Sequence, residues 1–486
     1  METLTVVEKQ INRFKQQFLQ LNQAGIEDLL DTNQLHQLVG AAIEDVPHNM
    51  RDRIWTPLVT LFAFIKQALT HGSCSDAVKS VQAERFGDGL TPCSGNTSAY
   101  CQARQKLPYS LPSNLVRYTG EQLEKASRLH WCWRGRAVKL ADGSTLTMAD
   151  TPENQAEYPQ ESNQKEGVGF PILRIEITAS LNSGGVLDFG VAPYSGKGTG
   201  ESALLRKLMR TSFQSGDIGL FDRYYDNYWT IAELLNRGVD LLCPARGGRK
   251  IDWKDGVPIK GDYYDREFEL KKPARPEWMS CEEYAAFPDK IVLRIFRIYG
   301  KNYITTLLDS RQYRKNALRK LYRQRWKIEV DLKFIKQIMK MEPLQCKTPE
   351  MVRKEIAIFL LAYNLIRLFM LQAAIRHHVW PCRISFAEAL GTLKEYALRL
   401  AEASGEILSN WVEYVLKIVV SKRIGNRDGR SEPRMLKRRC AQFPYLTEPR
   451  GVVKQKILDR QNSRKTKANE DLLASLMPTY LSAIGV

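Results

Sequence analysis

Residues 137–147 read AVKLADGSTLT and residues 218–222 read IGLFD. With the two-residue period of a β-strand, Val138, Leu140 and Asp142 share one face, and so do Ile218, Leu220 and Asp222. Each apolar run thus ends in an acid. A carboxylate at the end of a buried strand is costly to desolvate unless it is hydrogen-bonded, paired or bound to a cation. Two such ends on adjacent strands would bring two acids within reach of one cation. Alternatively each acid caps a turn, as the Asp142-Gly143-Ser144 sequence allows.

Reading outward from these two runs, Ile172–Leu181 is a second strand, Asn182-Ser183-Gly184-Gly185 a turn, and Val186–Ala192 a third strand. A helix over Glu201–Thr211 precedes the Ile218–Asp222 strand, and a helix over Trp229–Arg237 precedes a strand over Val239–Cys243. Three strands in meander order, then alternating helix and strand, is the order of a ribonuclease-H-like α/β core. Residues 244–312 continue as turn-rich, strand-like pieces, notably Ile291–Ile298 and Tyr303–Leu308, and read as an inserted β-rich subdomain. Helical patterning resumes over Arg314–Met341, Thr348–Arg376 and Phe386–Glu402. Upstream, Ile26–Val39, Trp55–Thr70, Ser75–Phe86 and Thr97–Lys106 carry helical spacing. The expected multi-domain organisation is a helical N-terminal domain (1–130), a first core part (131–243), the β insert (244–312), a second core part (313–376) and a helical, basic C-terminal region (377–486). No internal repeat is evident.

The 486 residues are 43% hydrophobic and 26% charged, an ordinary globular composition. The charge is not ordinary: 72 Lys and Arg against 54 Asp and Glu give +18. Arg314–Lys340 holds ten basic and two acidic residues, and Ser421–Glu470 holds fifteen and five, so these two segments carry the whole excess. Such clustering favours a nucleic-acid track over a general solubility device. The nine cysteines are scattered and include no C-x2-C pair. No signal-peptide pattern opens the chain, and free thiols suit a reducing interior, so a cytoplasmic location is expected. The apolar stretch Ile54–Leu69 falls short of the ~20 residues a membrane span requires, and no membrane partner is expected.

A third acid stands out on the helix around Glu329. At 100° per residue, Tyr322, Arg325, Glu329 and Lys336 fall within a sector of about 60°, while Leu321, Ile328, Leu332, Ile335 and Met339 form a separate apolar stripe. An acid flanked by Arg, Tyr and Lys can bind a metal while its neighbours hold a phosphate. The alternative is an ion-pair face in which Glu329 bridges Arg325 and Lys333. Asp150, Asp226 and the adjacent pair His377 and His378 fall outside these positions and read as solvated, capping or bystander groups.

The pattern Tyr322-x2-Arg325-x3-Glu329-x6-Lys336 resembles the signature of bacterial insertion-sequence transposases of the IS-four type. The resemblance extends to Asp142-Gly143-Ser144-Thr145, Asp222-Arg223-Tyr224-Tyr225, residues 98–108 and 347–364, and tail residues around Arg434 and Lys437-Arg438-Arg439; it covers most of residues 50–450. It implies a cut-and-paste DNA transposase whose Asp142, Asp222 and Glu329 bind two Mg2+ ions, with Mn2+ able to substitute. It implies further that Arg325 and Lys336 contact phosphate, and that Tyr322 and Arg325 hold a displaced nucleotide while the DNA end forms a hairpin. An aromatic wedge from the β insert would assist, with Trp253 and Trp278 as candidates. Further DNA contacts are expected at Lys333, Arg104, Lys106, Arg434, Lys437, Arg438 and Arg439. Double-stranded DNA is the expected partner, bound by a homodimer at the synapsed ends, in association with the bacterial nucleoid. The rival readings are a stand-alone two-metal nuclease on the same fold and a non-catalytic DNA-binding inhibitor of transposition.

Overall fold

The β-branched runs around Asp142 and Asp222 form the middle of one nine-stranded sheet. The structure, a computed structural model, describes residues 54–87, 89–128, 130–403, 405–425, 446–463 and residue 466. The expected helix over Ile26–Val39 and the basic residues Arg434, Lys437, Arg438 and Arg439 lie outside the described residues.

The sheet is built from β1 (Val138–Thr147), β2 (Ile172–Ser180), β3 (Val186–Pro193), β4 (Ile218–Leu220), β5 (Asp240–Pro244), β6 (Val257–Ile259), β7 (Asp262–Lys271), β8 (Lys290–Ile298) and β9 (Lys301–Thr305), in the spatial order β3-β2-β1-β4-β5-β9-β8-β7-β6. β1, β2 and β3 pair antiparallel, β4 and β5 add parallel to β1, and β9 returns antiparallel to β5. The β-rich insert therefore extends the central sheet through β9 instead of folding as a sheet of its own. Its distal strands β6 and β7 form the far edge, where polar alternation such as DYYDREFELK marks a half-solvated hairpin.

Helices cover both faces. The N-terminal part contributes α1 (Pro57–Thr70), α2 (Cys74–Gly87), α3 (Ser98–Lys106) and α4 (Ser110–Arg128); the short α5 (Pro152–Glu157) follows β1. α6 (Glu201–Ser212) and α7 (Tyr228–Asn236) flank β4, and α8 (Cys281–Ala285) lies in the insert. α9 (Lys315–Tyr322) and α10 (Trp326–Lys333) carry the basic stretch, followed by α11 (Pro349–Arg376), α12 (Phe386–Glu402) and α13 (Gly405–Ser421). α4 runs past Gly120, where an added Cβ would sit 2.2 Å from the Val186 carbonyl oxygen, so glycine is what allows helix and strand to approach this closely.

α11 is the spine of the larger core. It is long and apolar enough to cross a membrane, but 89% of its most apolar window is buried inside the protein, as expected of a helix that is hydrophobic all round. Its polar residues are tied down. Asn364 donates to Val116 O (3.1 Å), Thr119 Oγ1 (3.1 Å) and Val186 O (2.8 Å) and accepts from the Val186 N–H (2.9 Å), which locks α11, α4 and β3 together. Arg367 pairs with Asp331 of α10 and donates to the Tyr363 hydroxyl, and Lys354 donates to the Gln105 carbonyl at the end of α3. Buried charges are tolerable only when paired in this way.

Candidate active site

β1 does not end at Asp142. It runs on to Thr147, with Asp142 paired against Ile177 of β2. The parallel ladder to β4, however, stops at Leu140–Leu220, so Asp142 stands where its neighbour on that side falls away. Asp222 lies just past β4, where it caps a single 3-10 turn (Arg223–Tyr225) and accepts the Tyr224 N–H at 2.7 Å. The two acids thus occupy the same end of adjacent parallel strands, as their spacing predicts, but as an interrupted ladder and a turn cap instead of two strand ends.

Glu329 sits in the first turn of α10. The segment expected as one helix from Arg314 to Met341 is in fact α9, a 3-10 turn (Arg323–Arg325), α10, and a π-helical turn (Phe334–Ile338). These changes of pitch break the uniform 100° progression behind the single-face expectation. Arg325 and Glu329 remain together as an ion pair, and Arg325 Nη1 also lies 3.9 Å from Asp142 Oδ2. The Arg325 guanidinium therefore bridges the first and third acids. Lys336 points elsewhere: its ammonium donates to Thr145 O (2.8 Å) and Ser144 Oγ (3.1 Å) and pairs with Glu342 (2.9 Å), stitching the π turn to β1 beside Asp142.

The electrostatics mark Asp142 as the focus. Burial pushes its carboxyl up to about 7 from 3.8; Arg325 opposes the rise, while Glu329, Asp222 and Glu201 add to it. All three predicted acids thus share one electrostatic neighbourhood. A fourth, Glu201, was not singled out by the sequence. A Cβ at Gly143 would lie 2.6 Å from Glu201 Cγ, so Glu201 occupies the space that glycine leaves beside Asp142, held by Arg174 at 2.7 Å. Among the described residues, no group of three or more His, Cys, Asp or Glu is gathered tightly enough to hold a metal ion with the side chains as they stand. The donor chemistry nonetheless fits a hard divalent cation: several neighbouring carboxylates, with that of Asp142 raised by burial and then by its acidic neighbours.

Arg325 also lines an open cleft of about 360 Å³, together with Ile298, Tyr299, Lys301, Tyr303, Arg319, Tyr322, Arg323 and Trp326. Tyr322 packs edge-on against Tyr303, 5.3 Å between centroids. Tyr299 is 77% exposed at the tip of the β8–β9 hairpin and holds φ at 49°, followed by Gly300 at 73°. Positive φ at both central residues is what the two-residue type I′ loop of this hairpin requires. The Arg319 guanidinium lies over the Tyr299 ring at 4.2 Å, and Trp326, which lines the same cleft, is 54% exposed. Tyr299, Arg319 and Trp326 escape sequence reasoning because hairpin register and the 3-10 turn bring them together. Aromatic and basic residues interleaved within a basic stretch are the one signal that could have found them.

Other expected contacts fare differently. Trp253 is only 8% exposed and packed in the second core, with Arg297 over its ring at 5.1 Å, whereas Trp278 is 51% exposed and covered by Arg206 at 3.8 Å. Arg104 is turned inward, stacked on Phe64 and Tyr100 and bonded to Gln67 and Cys74, so its guanidinium is engaged in packing instead of being offered to a phosphate. Lys106 and Lys333 are exposed. Asp226 is not a solvated group: it is buried, paired with Arg249 and bonded to the Arg246 N–H at 2.7 Å. Asp150 is exposed and accepts from Gln155, and His377 and His378 end α11.

Residues 133–365 match the family described as the transposase DDE domain. The chain is 26% identical over 368 residues to the transposase InsG for insertion sequence element IS4 of Escherichia coli (strain K12), a match covering 71% of this chain and 78% of that protein. It also aligns with a piggyBac transposase solved as a synaptic complex with hairpin DNA, with a TM-score of 0.39 and 9% identity over 82% of this chain and 83% of that one.

Proposed function

Since residues 133–365 form a transposase DDE domain of the IS4 type, we propose that the chain cuts DNA at the ends of an insertion element and joins them to target DNA, with Asp142, Asp222 and Glu329 as its divalent-ion ligands. The observation that carries this reading is Arg325, which pairs with Glu329, lies 3.9 Å from Asp142 and also lines an aromatic, basic cleft. The sheet supports a ribonuclease-H-like core: three antiparallel strands in meander order, then two parallel ones, with the acids at one end of β1 and β4.

The three acids would hold the ions. Bound there, divalent ions supply Lewis acidity for in-line displacement at phosphorus, activating the attacking oxygen and stabilising the leaving one. Arg325, freed from Glu329 when that carboxylate turns to a cation, is placed to grip the scissile phosphate with its planar donor fork. Lys336 positions the Ser144–Thr145 segment of β1 next to Asp142, a supporting task beyond phosphate contact. Tyr299, Tyr322 and Trp326 offer π-faces on which an unpaired base can stack, as a hairpin intermediate requires. Tyr299 is a better wedge candidate than the packed Trp253.

The test is cleavage of a supercoiled plasmid carrying the element ends, with Mg2+, comparing wild type with Glu329→Gln while gel-shift binding is followed. Excision and joining lost in the variant with binding retained is the expected result. Equal cutting by both would reject the acid assignment, and cutting without joining would leave a nuclease.

A further inference from the structure

Glu176 is a fully buried acid on β2 that, among the described residues, no ion pair neutralises. The register sets it beside Gly143 of β1 on one side and Gly190 of β3 on the other, so neither neighbouring strand presents a side chain at that point of the face. One of its oxygens accepts a hydrogen bond from the Tyr225 hydroxyl at 2.7 Å; the other is buried and unpartnered. Tyr225 is itself fully buried and closes the 3-10 turn that Asp222 caps. Since β1 lies between β2 and β4 in the sheet, the bond reaches across β1 at Gly143, the residue next to Asp142.

The need for such a tie is visible in β4. It has only three residues, and its ladder to β1 ends at Leu220. Phe221 still bonds Leu242 O at 3.2 Å, but Asp222 lies beyond the last sheet bond. Two side chains then fasten the turn: Tyr225 to the sheet through Glu176, and Asp226 to the insert through Arg249. Only the first runs past Asp142.

We propose that the Glu176–Tyr225 hydrogen bond is a positioning device that fixes Asp222 against Asp142 and so sets the divalent-ion affinity of the site those acids form. The inference rests on the assignment of Asp142 and Asp222 as ion ligands. Glu176 touches neither DNA nor ion; it acts through Tyr225, as outer groups orient ligands in metal sites generally. Tyr225→Phe removes one hydroxyl and keeps the ring packed against Phe221, while Glu176→Gln keeps an acceptor for the same hydroxyl.

The test measures Mn2+ binding to the full chain by titration calorimetry, alongside plasmid cleavage and DNA gel shift, for Tyr225→Phe, Glu176→Gln, Glu176→Ala and Asp222→Asn. Tyr225→Phe and Glu176→Ala are expected to weaken Mn2+ binding by roughly 10- to 100-fold, with DNA binding unchanged. Glu176→Gln should stay near wild type. If Glu176→Ala fails to fold, the two conservative variants decide alone. Unaltered Mn2+ affinity in Tyr225→Phe, with Asp222→Asn having lost it, would overturn the positioning role and leave the ligand assignment standing. A loss in Glu176→Gln with Tyr225→Phe unchanged would overturn it too, because charge and not the bond would then matter. Mn2+ binding retained in Asp222→Asn would reject the ligand assignment itself.

Discussion

Replacing Asp142 by Asn should abolish cleavage and at the same time stabilise the metal-free chain at neutral and alkaline pH. The carboxyl is raised from 3.8 to about 7, first by burial and then by Glu329, Asp222 and Glu201. Its side chain is only 21% exposed, so solvent screening removes little of the effect. A raised carboxyl favours the protonated folded state: the associated stability is complete below the unfolded value and is lost as pH climbs through the folded one. At ~1.4 kcal/mol per tenfold, the full displacement corresponds to at most about 4 kcal/mol at pH 8, and roughly half of that near pH 5.5. The assay is guanidinium unfolding of both proteins in EDTA from pH 4 to 8. Asp142→Asn should unfold at higher denaturant at pH 8, with the gap closing toward pH 4. Equal midpoints throughout, or a variant less stable at pH 8, would refute the claim that Asp142 is held in an unfavourable, repelling site.

Two further outcomes are expected. Asn364→Ala strips four hydrogen bonds from the contact of α11, α4 and β3 and leaves the Val186 N–H and C=O unpaired; at ~1–3 kcal/mol for each orphaned group the loss is about 2–6 kcal/mol, read as a lower midpoint in thermal or denaturant unfolding. Tyr299→Ala should weaken binding of end DNA carrying an extruded base by roughly 5- to 150-fold while sparing fully paired duplex, since one stacked base contributes ~1–3 kcal/mol. Fluorescence of 2-aminopurine at the extruded position measures this, and an equal effect on both DNAs would exclude a stacking role.

Much of the core was legible because it rests on local periodicity. The runs around Val138, Ile172, Val186 and Ile218 became strands within a residue or two of their expected limits, and the helix over Phe386–Glu402 matches at both ends. What escaped depends on distant partners or on rules that local composition hides. α4 contains Pro112 and Gly120, which weaken a helical reading, yet the proline lies in the first turn and the glycine is needed against Val186. The union of the insert with the central sheet is set by the β5–β9 pairing of residues sixty apart, which no local pattern announces. The helix around Glu329 defeats angular arithmetic because 3-10 and π turns interrupt it; the Arg325–Glu329 contact survives because the two are only four residues apart, whereas Lys336, inside the π turn, is carried to Ser144. Arg104 and Asp226 were read as surface groups since sequence gives charge but not the direction a side chain faces. Glu176 sits amid the apolar run of β2, and only the register shows that glycines on either side make room for it.

Whether Asp142, Asp222 and Glu329 form a cation centre is tested most directly by locating Mn2+ through anomalous scattering in crystals of the full chain grown with Mn2+ and a short DNA duplex. The expected result is anomalous density against the carboxylates of all three acids, with Arg325 turned from Glu329 to a phosphate. Density elsewhere, or none while Arg325 still pairs with Glu329, would contradict it.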